Sequence, residues 1–113
     1  MKNTVKDTLY RTIPYSISTA DTFFSRLKGL MFRKDPLVEE GLLITPCNSI
    51  HMCFMKFSID VVFLDNNNRI VKLVSSIQPW KFISPVKDSH SVLELPAGSI
   101  AALQLAEGEI IRL

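Results

Sequence analysis

The 113-residue sequence has no long apolar run and only a small excess of positive charge. No stretch approaches the roughly 18 apolar residues that a membrane-spanning helix needs. Residues 1–16 also show no apolar segment behind Lys2 of the kind that an export signal carries. We therefore expect no membrane partner and a cytoplasmic location. The net charge is +2 and no run of Lys and Arg occurs, so nucleic acid is not an expected partner either.

Cysteine is scarce, with Cys47 and Cys53 the two in the chain. Cysteines of cytoplasmic proteins are normally reduced thiols. On an extended strand, two residues six positions apart lie about 20 Å from each other, which is far beyond disulfide reach. The sequence therefore predicts two free thiols. No cofactor and no metal is predicted.

The residues that are present indicate one globular domain over residues 1–113. Hydrophobic residues make up 47% of the chain and charged residues 21%, which is typical of a folded protein of this size. One helix is predicted, capped by Ser18 and Thr19, with Asp21 in its first turn and Gly29 as its stop. Its apolar stripe consists of Ala20, Phe23, Phe24 and Leu27.

Short strands account for most of the remaining chain. They are predicted over residues 41–45, 50–55, 60–65, 70–77, 92–95 and 109–113. A turn at residues 65–68 joins two of them in a hairpin, and Ser99 is expected to cap a second short helix. Residues 78–90 are predicted to form a loop. This spacing favours a mostly β, β-rich α+β fold, as a small barrel or jelly-roll-like sandwich with one or two short helices.

Residues 47–65 place chemically active groups inside an apolar block, and several interpretations are open. On an extended strand His51, Cys53 and Met55 share a face, so His51 and Cys53 could bind a metal with Cys47 or Asp60. That spacing matches no closed structural zinc pattern. Cys47 with His51 could instead form a nucleophile and base. The competing interpretation is that both thiols pack as small hydrophobic groups.

Three further features have both a structural and a functional interpretation. Lys56 and Asp60 form either a buried ion pair or the polar floor of a cleft. Arg26, near Gly29, belongs either to an anion-binding turn or to a solvated helix end. Trp80, in the predicted loop, is either a ligand platform or a lid over the core.

Several motifs together resemble the domain-of-unknown-function family number 192. They are RLKGLMFR, GLLI, IHMCFMKFSIDVVFLD, the Pro79–Trp80 pair and VLELPAG, and they follow one another from about Ala20 to the C-terminus. The resemblance implies a compact, mostly β domain. It implies no activity, because the family carries none in its name. Cys47 and Cys53 are not part of the family's general pattern.

Two hypotheses of function follow. The first is a binding module for a small molecule or a peptide segment, in a cleft beside the strands that carry His51 and Asp60. Its candidate ligand-binding residues are Arg26, Met31, Phe32, His51, Met55, Lys56, Asp60 and Trp80. The second is a small hydrolase-like or metal-assisted enzyme that uses His51, Asp60 and Cys47. Both hypotheses require the His51 imidazole and the Asp60 carboxylate to face a common polar niche.

Overall fold

Nine strands and two short helices make up residues 10–113, the part of the chain that this computed structural model describes. The expectation about an export signal rests partly on residues 1–9, which lie outside the described residues. The elements are β1 (Tyr10–Thr12), β2 (Ser16–Ala20), α1 (Phe23–Lys28), β3 (Glu40–Ile44), β4 (Ile50–His51), β5 (Ile59–Leu64), β6 (Ile70–Ile77), β7 (Phe82–Ile83), β8 (Ser91–Pro96), α2 (Ser99–Leu103) and β9 (Ile110–Arg112).

A five-stranded sheet in the order β2-β3-β8-β5-β6 forms the centre of the molecule. The β2–β3 pair is parallel, and the other three pairs are antiparallel. All six residues of β5 are buried, as are the first five of β8, which explains why their sequences are almost continuously apolar. The hairpin predicted between β5 and β6 is present, and the predicted β-rich α+β class is confirmed.

Two smaller sheets complete the architecture over the described residues. β1 pairs with β9 in parallel, and β4 pairs with β7 in antiparallel orientation. The sheets of residues 10–113 do not close into a barrel, which corrects that part of the prediction. Neither α1, with six residues, nor α2, with five, has the length and apolar character to cross a bilayer.

The central sheet separates two apolar clusters, here called the front core and the back core. Along β5, Ile59, Val61 and Phe63 belong to the front core, whereas Val62 and Leu64 belong to the back core. Along β8, Val92 faces the front, and Leu93 and Leu95 face the back. Because side chains alternate along a strand, Glu94 points to the front and Asp60 to the back.

The first helix begins later than predicted. Thr22 is its N-cap, where the Thr22 Oγ1 accepts a hydrogen bond from the Ser25 amide at 3.1 Å. The predicted cap residues Ser18 and Thr19 lie in β2, because that segment pairs in register with β3. This long-range pairing overrides the local capping signal. Gly29 ends the helix with a positive φ of 48°, as predicted.

The strand predicted over residues 50–55 is wrong beyond His51. The chain turns at Met52, and the Met55 amide donates a hydrogen bond to the Met52 carbonyl at 3.2 Å. His51, Cys53 and Met55 therefore do not share one strand face. The predicted loop over residues 78–90 also contains a short strand, β7, which pairs with β4.

Candidate ligand-binding site

A small cavity lies between the C-terminal end of α1 and the front face of the sheet. Its polar lining residues are Arg26, Lys28, Cys47, Ser49, His51 and Glu94, and its apolar walls include Leu30, Met31, Ile44, Ile50 and Met55. The space open to the centre of a water-sized molecule is about 30 Å³, and one water needs roughly 10–15 Å³ by this measure. The cavity therefore accepts a group of a few atoms. The rest of a larger ligand has to lie outside it.

Glu94 is the most unusual residue of this cavity. It lies on the central strand β8, opposite Leu42 on one side and Val61 on the other, where an apolar side chain is expected. Its side chain is buried, and its Oε1 atom has no hydrogen-bond partner among the described residues. Burial raises the pKa of the Glu94 carboxyl from 4.5 to about 8. At neutral pH the carboxyl is therefore protonated and can donate a hydrogen bond as well as accept one.

The backbone of Gly29 covers the Glu94 carboxyl. A Cβ atom at Gly29 would lie 3.7 Å from the Glu94 Oε1 and 3.7 Å from the Ile44 Cδ1. Space alone therefore does not require glycine at this position. The positive φ of 48° favours it, because that conformation ends the helix and brings the backbone over the carboxyl.

Cys47 is a half-buried thiol at the edge of the same cavity. Its Sγ donates a hydrogen bond to the Ser49 carbonyl at 3.0 Å. Burial raises the pKa of the Cys47 thiol, whereas the Arg26 charge lowers it. At neutral pH Cys47 is therefore a protonated, weakly nucleophilic thiol. Cys47 and Cys53 are both free, as predicted.

His51 lines the cavity, but both of its ring nitrogens contact the backbone. The Nε2 atom lies 3.0 Å from the Leu27 carbonyl oxygen, and the Nδ1 atom accepts from the Cys53 amide at 3.3 Å. These contacts require the tautomer that carries its proton on Nε2. His51 thus ties β4 to the end of α1. The structure does not place its ring as a base for Cys47.

Arg26 and Lys28 are the two basic residues that line the cavity. The Arg26 Nη1 atom donates to the Pro46 carbonyl at 3.2 Å, which holds the guanidinium at the cavity wall. Among the other candidates from the sequence, Met31 and Met55 form part of the apolar lining. Met55 is buried and Met31 is half-buried.

Asp60 lies outside the cavity. Its Oδ1 accepts a hydrogen bond from the Ser76 amide at 2.8 Å, and its Oδ2 accepts one from the Ile100 amide at 2.8 Å. The carboxylate thus joins β5 to β6 and to the first turn of α2, on the back face of the sheet. The expected niche shared by His51 and Asp60 is therefore absent, because His51 lines the cavity at the front whereas Asp60 points to the back face of the central sheet.

The other three candidates lie outside the cavity lining. Lys56 is exposed. Phe32 and Trp80 are 58% and 63% exposed. Each of the two rings lies against the Phe54 ring, with ring centroids 4.9 Å apart. Within residues 10–113, no three His, Cys, Asp or Glu side chains converge as a metal site. The Cys47, His51, Cys53 and Asp60 set therefore lacks the geometry that the metal hypothesis needs.

Glu94 was not among the site residues predicted from the sequence, although a local feature of the sequence indicates that its position is unusual. Glu94 interrupts an apolar run from Val92 to Leu95, on a strand whose apolar residues on both sides of it predict burial. A charged residue at such a position requires either a partner or a shifted pKa.

Comparison with known proteins identifies relatives over most of the chain. The DUF192 family, described as an uncharacterized ACR, matches residues 2–113. A UPF0127 protein of Pyrococcus furiosus is 35% identical over 104 residues, which are 88% of this chain and 87% of that protein. A UPF0127 protein of Thermococcus sibiricus is 40% identical over 101 residues, covering 84% of this chain and 64% of that protein.

Solved structures with a similar fold include a protein of unknown function from Novosphingobium aromaticivorans, with a TM-score of 0.75 and 24% sequence identity. The similarity covers 83% of this chain and 71% of that one. At this identity the likeness concerns the fold alone.

Proposed function

The chain belongs to the DUF192 family, and from the chemistry of its cavity we propose that it is a binding module for a ligand that presents a carbonyl or carboxylate oxygen. The observation that carries the proposal is the buried Glu94 carboxyl with its unpartnered Oε1. A buried polar group without a partner costs about 1–3 kcal/mol. A ligand oxygen in the cavity removes this cost.

The charges around the cavity favour an oxygen acceptor over a cation. The Arg26 guanidinium is a permanent donor, and the Glu94 carboxyl holds a proton at neutral pH because its pKa is raised to about 8. Both groups can donate to one acceptor oxygen, whereas Arg26 repels an ammonium group. The apolar walls formed by Met31 and Met55 suit the short carbon stem that carries such an oxygen.

The small volume implies that only the tip of the ligand enters. Typical cavities for drug-sized molecules measure about 300–1,000 Å³, so this one suits an acetate-sized group at the end of a small molecule or of a peptide segment. The hydrolase-like or metal-assisted alternative has less support. Asp60 lies on the back face, and the ring nitrogens of His51 are held by backbone groups.

The test is a titration with sodium acetate and acetamide followed by methyl NMR. We expect shifts of the Met31 and Met55 methyl resonances, while the Met52 methyl, which is buried outside the cavity lining, serves as the internal control. A four-atom ligand gains at most about 1.5 kcal/mol per atom, or about 6 kcal/mol in all, so the Kd should be no lower than tens of micromolar. The titration therefore extends into the millimolar range. Acetate binding should weaken above about pH 8, where Glu94 ionises.

Two variants make this test specific. Glu94→Leu removes the donor and should abolish the shifts, whereas Glu94→Gln keeps an N–H donor and should retain them without the loss above pH 8. Unchanged shifts in Glu94→Leu, or no shifts in the natural protein, would contradict the proposal.

We also propose that the protein works as a single domain in the cytoplasm, where its two free thiols remain reduced.

A further inference from the structure

Three exposed aromatic side chains form a row beside the cavity, with Phe32 stacked on Phe54 and Trp80 edge-to-face with Phe54. The ring centroids of Phe32 and Phe54 lie 4.9 Å apart, and those of Phe54 and Trp80 also lie 4.9 Å apart. The three side chains are 58%, 48% and 63% exposed. Large aromatic groups are normally buried, so the aromatic row of Phe32, Phe54 and Trp80 leaves an unusual amount of apolar surface in water.

Each aromatic residue occupies the third position of a four-residue turn. The turns span residues 30–33, 52–55 and 78–81, and each is closed by a backbone hydrogen bond of 3.2 to 3.3 Å from its last amide to its first carbonyl. The φ angles of Phe32, Phe54 and Trp80 are 68°, 58° and 68°. Glycine normally fills this turn position, because a bulky side chain there is strained.

The turns are connected to one another and to the rest of this face. The Phe32 amide donates to the Phe54 carbonyl at 3.1 Å, and the Trp80 amide donates to the Met52 carbonyl at 2.8 Å. Mutual stacking offsets part of the strain, at about 0.5–1.5 kcal/mol per aromatic pair. Glycine at the three positions would avoid the strain altogether. The aromatic residues therefore carry a backbone cost that glycine turns would not have.

Positive charge surrounds this row, although the whole chain is nearly neutral. Residues 22–34, 46–59 and 76–87, which carry the three turns, contain no Asp or Glu. They do carry five exposed lysines, namely Lys28, Lys34, Lys56, Lys81 and Lys87. Arg33 also lies here but is paired with Glu40 at 2.6 Å. Asp21 and Asp35 border the first segment, the buried Asp60 follows the second, and Asp88 follows the third.

We propose that this face docks on the surface of an anionic lipid bilayer, with the aromatic row at the level of the headgroups and the lysines on the lipid phosphates. Aromatic side chains on turns, in segments that carry exposed lysines and no carboxylates, match the interface in both polarity and charge. The sequence predicted no membrane partner because it lacks a membrane-spanning helix, and surface docking needs none. Nucleic acid and acidic peptides are less well matched, because the rings stack on one another and form no charged groove.

Trp80 is the one tryptophan of the chain, so its fluorescence reports on this face directly. We expect the protein to sediment with vesicles of equimolar phosphatidylglycerol and phosphatidylcholine, with a blue shift of the Trp80 emission, and not with vesicles of phosphatidylcholine alone. Raised salt should release it. Lys56→Gln and Lys81→Gln should each weaken binding about fivefold, since one lysine near an anionic surface contributes about 1 kcal/mol.

Phe54→Gly removes the central ring at a position that glycine suits, so the fold is retained, and vesicle binding should fall about tenfold or more. Lys72→Gln, an exposed lysine on β6 outside the three turns, is the matched control and should bind like the natural protein. Absence of binding to the anionic vesicles overturns the proposal. So does binding to single-stranded DNA or polyglutamate without binding to the vesicles, and so does an equal loss in Lys72→Gln and Lys81→Gln.

Discussion

Replacing Glu94 by glutamine should remove a large pH dependence of stability. The folded chain holds the Glu94 proton up to a pKa of about 8, whereas the unfolded chain releases it near pH 4.5. Rising pH therefore favours the unfolded state, and stability is lost progressively through this window and is constant above it. Each pH unit contributes about 1.4 kcal/mol. From about pH 5 to pH 8 the loss is roughly 3 kcal/mol, or about 10 °C in Tm for a chain of this size.

The assay is urea unfolding of the natural protein and of Glu94→Gln at pH 5, 6, 7 and 8. Other titrating groups are common to both proteins, so the difference between their unfolding free energies isolates residue 94. We expect the natural protein to lose about 3 kcal/mol relative to Glu94→Gln across this range. Glu107→Gln, at an exposed position, controls for removal of a carboxylate. Parallel profiles for the natural protein and Glu94→Gln would refute the reasoning.

Three further predictions concern Asp60, Cys47 and Phe54. Asp60→Ala leaves two backbone amides without their acceptor and should cost about 3 kcal/mol, against about 1 kcal/mol for His51→Ala; equal melting temperatures would contradict the role given to Asp60. In Cys53→Ser, iodoacetamide should label Cys47 at pH 7.5 more slowly in the folded protein than in the urea-unfolded chain, because burial raises the pKa of that thiol. Equal or faster labelling of the folded protein would contradict this. At position 54, with its φ of 58°, glycine should be more stable than alanine in urea unfolding, which reverses their usual order. A more stable Phe54→Ala would show that the turn is unstrained.

The strands could be predicted from sequence wherever local pattern and long-range pairing agree. Residues 70–77 form β6 as expected, because the Asn-rich turn and the apolar run both favour a hairpin. The pattern failed at Ser18 and Thr19, whose capping chemistry is local, whereas the pairing of β2 with β3 is decided by distant residues. The pattern also failed after His51. Met52, Cys53 and Phe54 are apolar residues of the kind found in strands, but they form a turn.

The role of the candidate residues in ligand binding stays a prediction. Arg26, Met31, His51 and Met55 do line one cavity, because the end of α1 lies against β4. Asp60 was assigned to the wrong face of the sheet. The face to which a strand residue points depends on where the strand begins, and β5 follows an irregular turn. Glu94 stands out as a charged residue inside an apolar run, but the cavity that it lines is built with residues distant in sequence, which no local pattern reveals.

The central claim is that Glu94 holds an uncharged carboxyl inside the cavity, ready to meet a ligand oxygen. The most direct measurement is a pH titration of the Glu94 side-chain carboxyl carbon by NMR, assigned through Glu94→Gln. The account predicts a midpoint near pH 8 that shifts upward when acetate is added, because acetate binds the protonated form. A midpoint near pH 4.5, unchanged by acetate, would contradict it.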